Sequence, residues 1–265
     1  MKLACTLSIA LLLSGASMVA SAAVLAPAPN SVQNPGSNFL PGLPGYGSAQ
    51  GSIVIVYGAN LGPGTIVLAP TLPLQTTLSN TSITVTVGAT TVNLLMVYTL
   101  NSQLAAVLPS NTPVGNGTLT VSYNGLSGST PIVVVASAVG ILTQNETGKG
   151  PASATHVNNQ LITATNAANS NEEIQIYATG GGQTSPSSST GGVAQVAASI
   201  VLPASVTIGG VNAQVLYAGN APGEVEGVVQ INAMVPPSVT PGAALPVLVT
   251  IGGISSQTGV TIAVR

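Results

Sequence analysis

A stretch near the middle of the chain returns 127 residues later: Gln103-Leu-Ala-Ala-Val-Leu-Pro109 aligns with Gln230-Ile-Asn-Ala-Met-Val-Pro236, and the same offset brings Gly115 onto Gly242 and Gly125 onto Gly252. Upstream, Val85-Thr-Val-Gly88 resembles Val206-Thr-Ile-Gly209, and Tyr98 matches Tyr217. The run from Ser52 through Tyr57 to Gly62 is echoed by the run from Glu172 through Tyr177 to Gly182. Solenoid units repeat every 20 to 50 residues or so. A repeat near 120 residues is instead the length of a whole domain, so two copies of one domain are expected.

The internal pattern of each copy is that of strands. Leu119, Val121 and Tyr123 fall on one side of an extended segment, and Thr118, Thr120 and Ser122 on the other. This is the period of two that a sheet with one buried and one wet face imposes. Asn124-Gly125 follows, two residues that accept the positive φ of a tight hairpin. Similar runs are Ser52 to Tyr57, Ile66 to Leu68, Ile83 to Val87, Val92 to Tyr98, Gln103 to Leu108 and Ile132 to Val135 in the first copy. The second copy offers Glu172 to Tyr177, Val196 to Leu202, Ser205 to Ile208, Ala213 to Tyr217, Val228 to Val235, Pro246 to Ile251 and Gly259 to Val264. Turn residues at intervals of about ten suit a β-sandwich, with an aliphatic core and Tyr as its main aromatic.

Composition narrows what such a fold can do. Charged residues make up only 3% of the chain, against a usual value of about 25%. After the first 22 residues only Lys149 and Arg265 are cationic, facing Glu146, Glu172, Glu173, Glu224 and Glu226. Two cations cannot neutralise a run of phosphates, which excludes nucleic acid as a partner, and they cannot hold the chain to an anionic membrane. No apolar run beyond the leader reaches the roughly 18 residues of a spanning helix.

Met1 to Ala22 reads as a secretory signal peptide, with Lys2, an apolar stretch from Leu7 to Leu13, and an Ala-x-Ala site ending at Ala22. The single cysteine, Cys5, lies within it, so the exported chain has no disulfide or thiolate chemistry. The expected organisation is a signal peptide over 1–22, an extended arm over 23–47, and sandwiches over 48–137 and 138–265. The arm is assigned because its Pro, Gly, Asn and Ser residues hold no period.

Gly51-Ser-Ile-Val-Ile-Val-Tyr-Gly-Ala-Asn-Leu-Gly62, Ile174-Gln-Ile-Tyr-Ala-Thr-Gly-Gly-Gly182 and Val229-Gln-Ile-Asn-Ala-Met-Val-Pro236 with Gly242 together resemble a family. It is the uncharacterised C-terminal domain family of exported proteins from Solibacter and other Acidobacteria. The resemblance covers nearly the whole chain after the leader. It implies all-β, tandem immunoglobulin-like sandwiches similar to IPT/TIG domains, and no activity or catalytic residue.

Chemistry-bearing residues are few. His156 is the only histidine and there is no aspartate, so a Ser-His-Asp triad is missing and one histidine cannot make a zinc site. A loop position beside Asn158 and Asn159 is expected for it. Gly180-Gly-Gly182 and Gly209-Gly210 lack the Gly-Lys-Ser/Thr of a phosphate loop and read as turns. Glu224 and Glu226 are the candidate ligand-contact residues. On a strand they would face one side about 6 to 7 Å apart, a spacing open to a glycosidase pair or a calcium ion. Pro222, Gly223 and Gly227 around them favour a loop that they keep soluble.

No cofactor is expected. The leading expectation is an exported, non-enzymatic structural or adhesive module of the cell exterior. One alternative binds an extracellular glycan or protein through end loops 183–192 and 218–228, because loops on a rigid scaffold commonly carry recognition. Another self-associates into a surface fibre, with the arm adding a strand to a neighbour.

Overall fold

The computed structural model describes residues 26–187 and 191–265, so the expected signal peptide and residues 188–190 of one end loop lie outside the described residues. The described residues form strands and turns with no helix, and none of them supplies a helix long and apolar enough to cross a membrane, which says nothing of strands. The all-β expectation holds: four sheets pair into two sandwiches.

In the first sandwich a five-stranded sheet runs in the order Ala28–Gln33, Ile53–Ala59, Gln103–Val107, Leu95–Thr99, Val67–Leu68. Facing it are Ser48–Ala49, Leu126–Val135, Gly115–Tyr123 and Thr81–Val87, the last flanked by both Thr77–Leu78 and Thr90–Asn93. Val54, Val56, Leu104 and Ala106 from one sheet meet Ile83, Val85, Leu119, Val121 and Ile132 from the other. Burying a large aliphatic side chain of this kind is worth about 1.5–3 kcal/mol.

The second sandwich repeats the plan. One sheet is centred on Glu173–Thr179, Val228–Met234 and Val215–Asn220, with Gly140–Ile141 and Ala154–His156 both added to Glu173–Thr179. The other holds Gly150–Pro151, Val260–Val264, Gly242–Ile251, Ala204–Ile208 and Val211–Ala213. Each copy opens its second sheet with a two-residue parallel pairing, Ser48–Ala49 on Leu126–Val135 and Gly150–Pro151 on Val260–Val264. The first core draws on residues from Val32 to Val134, the second on residues from Val139 to Val264.

Several expectations are corrected in detail. The run Val92 to Tyr98 is two strands, because the chain changes sheets at Leu94, which is fully buried and donates its N–H to Ile83. Gln214 marks the same crossing in the second copy, where its carbonyl accepts from Met234. A bulge between Gly242 and Leu245 adds one residue, so the hairpin turn Asn124-Gly125 corresponds to Gly252-Gly253 and the constant offset fails there. None of the six tyrosines joins either core; all are half-buried. The aliphatic packing closes without them, and a phenol oxygen needs a polar partner that the core does not offer.

The expected arm is not free. Ala28–Gln33 lies antiparallel against Ile53–Ala59, and Val32 enters the first core. An edge otherwise open to pairing is thereby filled by the chain itself, which removes this segment as a strand donor to a neighbour.

Candidate functional site

Beyond Gln33 the same segment crosses to the second sandwich and is locked there. Asn34 Nδ2 donates to Ala138 O at 2.7 Å, while its Oδ1 accepts from the Gly36 and Ser37 N–H groups. Gln257, 4% exposed, donates to Gly36 O at 2.9 Å and to Ile141 O at 2.6 Å, and its Oε1 accepts from Ile141 N–H. Both amides are buried and bonded through nitrogen and oxygen, the condition under which buried polar groups hold a structure instead of weakening it. Gly36 is required by the close approach, since a Cβ there would sit 2.4 Å from Gly140 O. The segment is a strap, a strand of one sandwich and a bonded turn on the other.

A second set of contacts comes from the end loops. Gly191 O accepts from Leu74 N–H at 2.8 Å, and Gln183 Nε2 donates to Ser110 O at 2.9 Å. Thr179 Oγ1 accepts from Ile53 N–H and donates to Gly227 O. The described parts of loops 183–192 and 218–228 thus include an edge that rests on the first sandwich, and at those points they serve the joint. Glu226 Oε2 accepts from Gly191 N–H at 3.1 Å and so braces one loop against the other. Glu224 lends its backbone to the same brace, its O accepting from Ala194 N–H, and its side chain is exposed. Among the described residues no three His, Cys, Asp or Glu side chains gather as metal ligands.

His156 lies at the end of the strand Ala154–His156 and is 9% exposed, where a loop position was expected. Its Nδ1 bonds Glu172 Oε1, and its Nε2 lies 3.3 Å from Asn166 O. Glu172 Oε2 accepts from Asn169 N–H and Nδ2. Burial alone would raise this carboxyl, but the bonds from His156 and Asn169 outweigh it and hold the group below its ordinary value. Both ring nitrogens face acceptors, and neither is bonded to a serine hydroxyl. The pair ties the Asn166–Glu172 turn to the sheet.

Between strap, first sandwich and second sandwich lies a cleft of about 600 Å³. Tyr57, Ile55, Gln103 and Tyr98 form its floor on the outward face of the first five-stranded sheet. Gln33, Pro35 and Asn38 of the strap form one wall, and Leu142, Thr143, Gln144, Glu146 and Ser153 of the second sandwich the other. Tyr98 is placed by a bulge: Met96 opposes Ala106 and Tyr98 opposes Ala105, a device that commonly re-aims a side chain. Gln103 Nε2 donates to the Tyr98 hydroxyl oxygen, which leaves the phenolic hydrogen available. Burial, with Tyr57 and Glu146 nearby, holds the Tyr98 phenol above its usual range, against a smaller opposite effect of the Gln103 bond. Gln144 Nε2 is consumed by Ala152 O and Ile162 O at 2.8 and 2.9 Å, leaving its carbonyl. The Glu146 carboxylate takes no hydrogen bond from another described residue.

Sequence reasoning missed this site. Tyr57, Tyr98 and the polar run Gln144 to Gly150 were visible as features, but nothing in their spacing joins them, and Gln33 and Asn38 sit in a segment without period.

A scan against protein-family models finds no match, and no curated protein matches the sequence. Among solved structures, the chain is similar to SGBP-B of the Bacteroides ovatus mixed-linkage glucan utilization locus, in complex with a mixed-linkage heptasaccharide, at 14% identity over 86% of this chain and 45% of that chain, with a TM-score of 0.34. It is similar to domains 5–6 of the S-layer protein SbsC at 15% identity over 90% of this chain and 98% of that chain, TM-score 0.27. It is similar also to the plexin A4 extracellular region at 10% identity over 99% of this chain and 20% of that chain, TM-score 0.27. The chain therefore spans less than half the length of SGBP-B or plexin A4. At these values the likeness extends only to the general β-rich fold.

Proposed function

We propose that this chain is an exported, non-enzymatic structural and adhesive module of the cell exterior, in which two sandwiches act as one rigid unit. The observation that carries the reading is the joint. A strap that is a strand in one sandwich and a bonded turn on the other, together with loops resting on the first sandwich, resists the hinge motion usual between tandem domains. The expected leader supports export, and the resemblance of the motifs to those of the exported Solibacter-type family supports the same assignment. The bonding of His156 and Glu172 into a turn supports a non-enzymatic reading.

Fractionation of cells carrying a tagged chain is expected to find it outside the cytoplasm. Small-angle scattering of the purified chain is expected to show one compact pair of fixed spacing. Asn34→Ala combined with Gln257→Ala should broaden that distribution. Cytoplasmic residence, or a parent chain that scatters as two loosely tethered bodies, would overturn the proposal.

A further inference from the structure

We infer that the cleft at the joint binds a neutral saccharide, a site and a ligand class that the function proposed above does not assign. The volume comes first: about 600 Å³ falls within the roughly 300–1,000 Å³ of ordinary small-molecule sites. The surfaces come next. The half-buried rings of Tyr57 and Tyr98, with Pro35 and Leu142, offer flat apolar area suited to the C–H faces of a sugar ring.

The polar groups then select the ligand. Gln144 has committed both N–H groups and keeps its carbonyl oxygen, Gln103 has given one N–H to Tyr98 and keeps its carbonyl oxygen, and Glu146 adds a carboxylate. Such a site is rich in acceptors and asks for a ligand that brings donors, as a row of hydroxyls does. The Tyr98 phenolic hydrogen and the second Gln103 N–H supply donors in return. Among the described residues no Lys, Arg or His lines the cleft, so uronates, sulfates and phosphates would meet no opposite charge there. One carboxylate without a second is a weak lure for a cation but a good acceptor for paired hydroxyls.

Glu146 carries an added mark. Among the described residues eight non-glycine residues have positive φ; six are Asn, one is Ser79, and the remaining one is Glu146 at φ 59. Asn accepts this conformation at low cost, whereas Glu adopts it only with strain. Strain of this kind is concentrated at functional positions, and here it sets a carboxylate at the mouth of the cleft.

The test is isothermal titration of the purified exported chain with hexasaccharides of β-1,4-glucan, xylan, mannan and α-1,4-glucan, and with hexagalacturonate as the acidic counterpart. At least one neutral hexasaccharide is expected to bind and hexagalacturonate is not. Tyr57→Ala and Tyr98→Ala should each weaken binding about tenfold, and Glu146→Gln roughly fivefold. Glu146 is exposed, so its variant is expected to fold, and Glu224→Gln should leave binding unchanged. Absence of binding to all four neutral probes at millimolar concentration would overturn the inference. Binding that survives all three cleft substitutions, or a preference for hexagalacturonate, would do the same. The scattering and fractionation results are independent of these outcomes, so the structural reading can stand if the cleft proves empty of function.

Discussion

The two copies present the same sheet to opposite circumstances. In the first, Ile53 pairs with Val107 and Ile55 with Ala105 on the face turned away from the core, and Ile55, Ala105 and Val107 are only 6%, 2% and 3% exposed. The second sandwich lies over this face, with Gly227 against Ile53 and Gly191 against Leu95. In the second copy the matched positions are Glu173 opposite Met234 and Gln175 opposite Asn232. They form a wet lattice in which Gln230 donates to Asn232, Asn232 to Glu173, and Thr155 to Gln175. One backbone plan therefore serves as a socket in one copy and a solvated surface in the other. The second copy lacks the apolar face that receives a partner, so the contact is not repeated from copy to copy.

Tyr98 and Tyr217 carry the contrast to single side chains. Each follows the same bulge, Met96 to Tyr98 in one copy and Val215 to Tyr217 in the other. The Tyr217 hydroxyl donates to Asn220 O at 2.7 Å, and Asn220 in turn holds Ala198 N–H and Val196 O. It props the loop that reaches the first sandwich. Tyr98 has no such loop beside it, and its hydroxyl faces the cleft. Repetition fixes where the backbone puts a tyrosine; the neighbouring copy decides what the tyrosine is for.

The strongest challenge to this picture is to hollow one core at a time. Leu104 and Ile231 are matched, fully buried residues, and truncation of either to Ala should cost about 2–5 kcal/mol. If the joint couples the copies, calorimetry should show one transition that moves down in both variants, by about 5–15 °C. Two transitions, only one of them moved in each variant, would mean that the copies melt separately. A sharper and smaller perturbation is to give the socket the residue of the wet face. Ala105→Asn places an amide where no partner waits, at a cost of about 1–3 kcal/mol. It should loosen the joint in scattering, whereas Asn232→Ala at the matched position should leave the joint intact.

The asymmetry was partly written in the sequence. Ser52-Ile-Val-Ile-Val-Tyr57 and Gln103-Leu-Ala-Ala-Val-Leu108 are continuously apolar, the pattern of strands buried on both faces. Ile174-Gln-Ile-Tyr177 and Gln230-Ile-Asn-Ala233 alternate, the pattern of strands with a wet face. Strand positions, hairpin turns and the repeat follow from such local periods. The strap does not, because its bonds run from Asn34 to Ala138 and from Gln257 to Gly36, and no local period reports a partner more than a hundred residues away. The cleft inherits that difficulty, since its three walls meet only after both sandwiches have formed. Tyr57 and Tyr98 were legible as strand residues but were assigned to the core, and only the joint makes them neighbours of Gln144 and Glu146.

Charge divides the copies as well, and pH is the gentlest way to probe the division. From Ser48 to Ser137 the chain has no Asp, Glu, Lys, Arg or His, so the first sandwich has no side chain that titrates in acid. The second holds Glu172, whose carboxyl is kept below its ordinary value of 4.5 in the folded chain. Burial works against that depression, and the bonds from the His156 ring and from Asn169 produce it; Arg265 is bonded to Asn169 from the other side. A carboxyl with a lowered folded pKa binds protons more weakly in the folded than in the unfolded state. Its contribution is therefore fully present above 4.5 and drains away as the pH falls through the folded value. Melting followed from pH 7 to pH 3 should fall most steeply below about 4.5. Glu172→Gln should lower the melting temperature modestly at neutral pH and flatten that acid fall, because the group that loses its charge is gone. An equally steep fall in the variant would remove Glu172 as the source of the acid sensitivity.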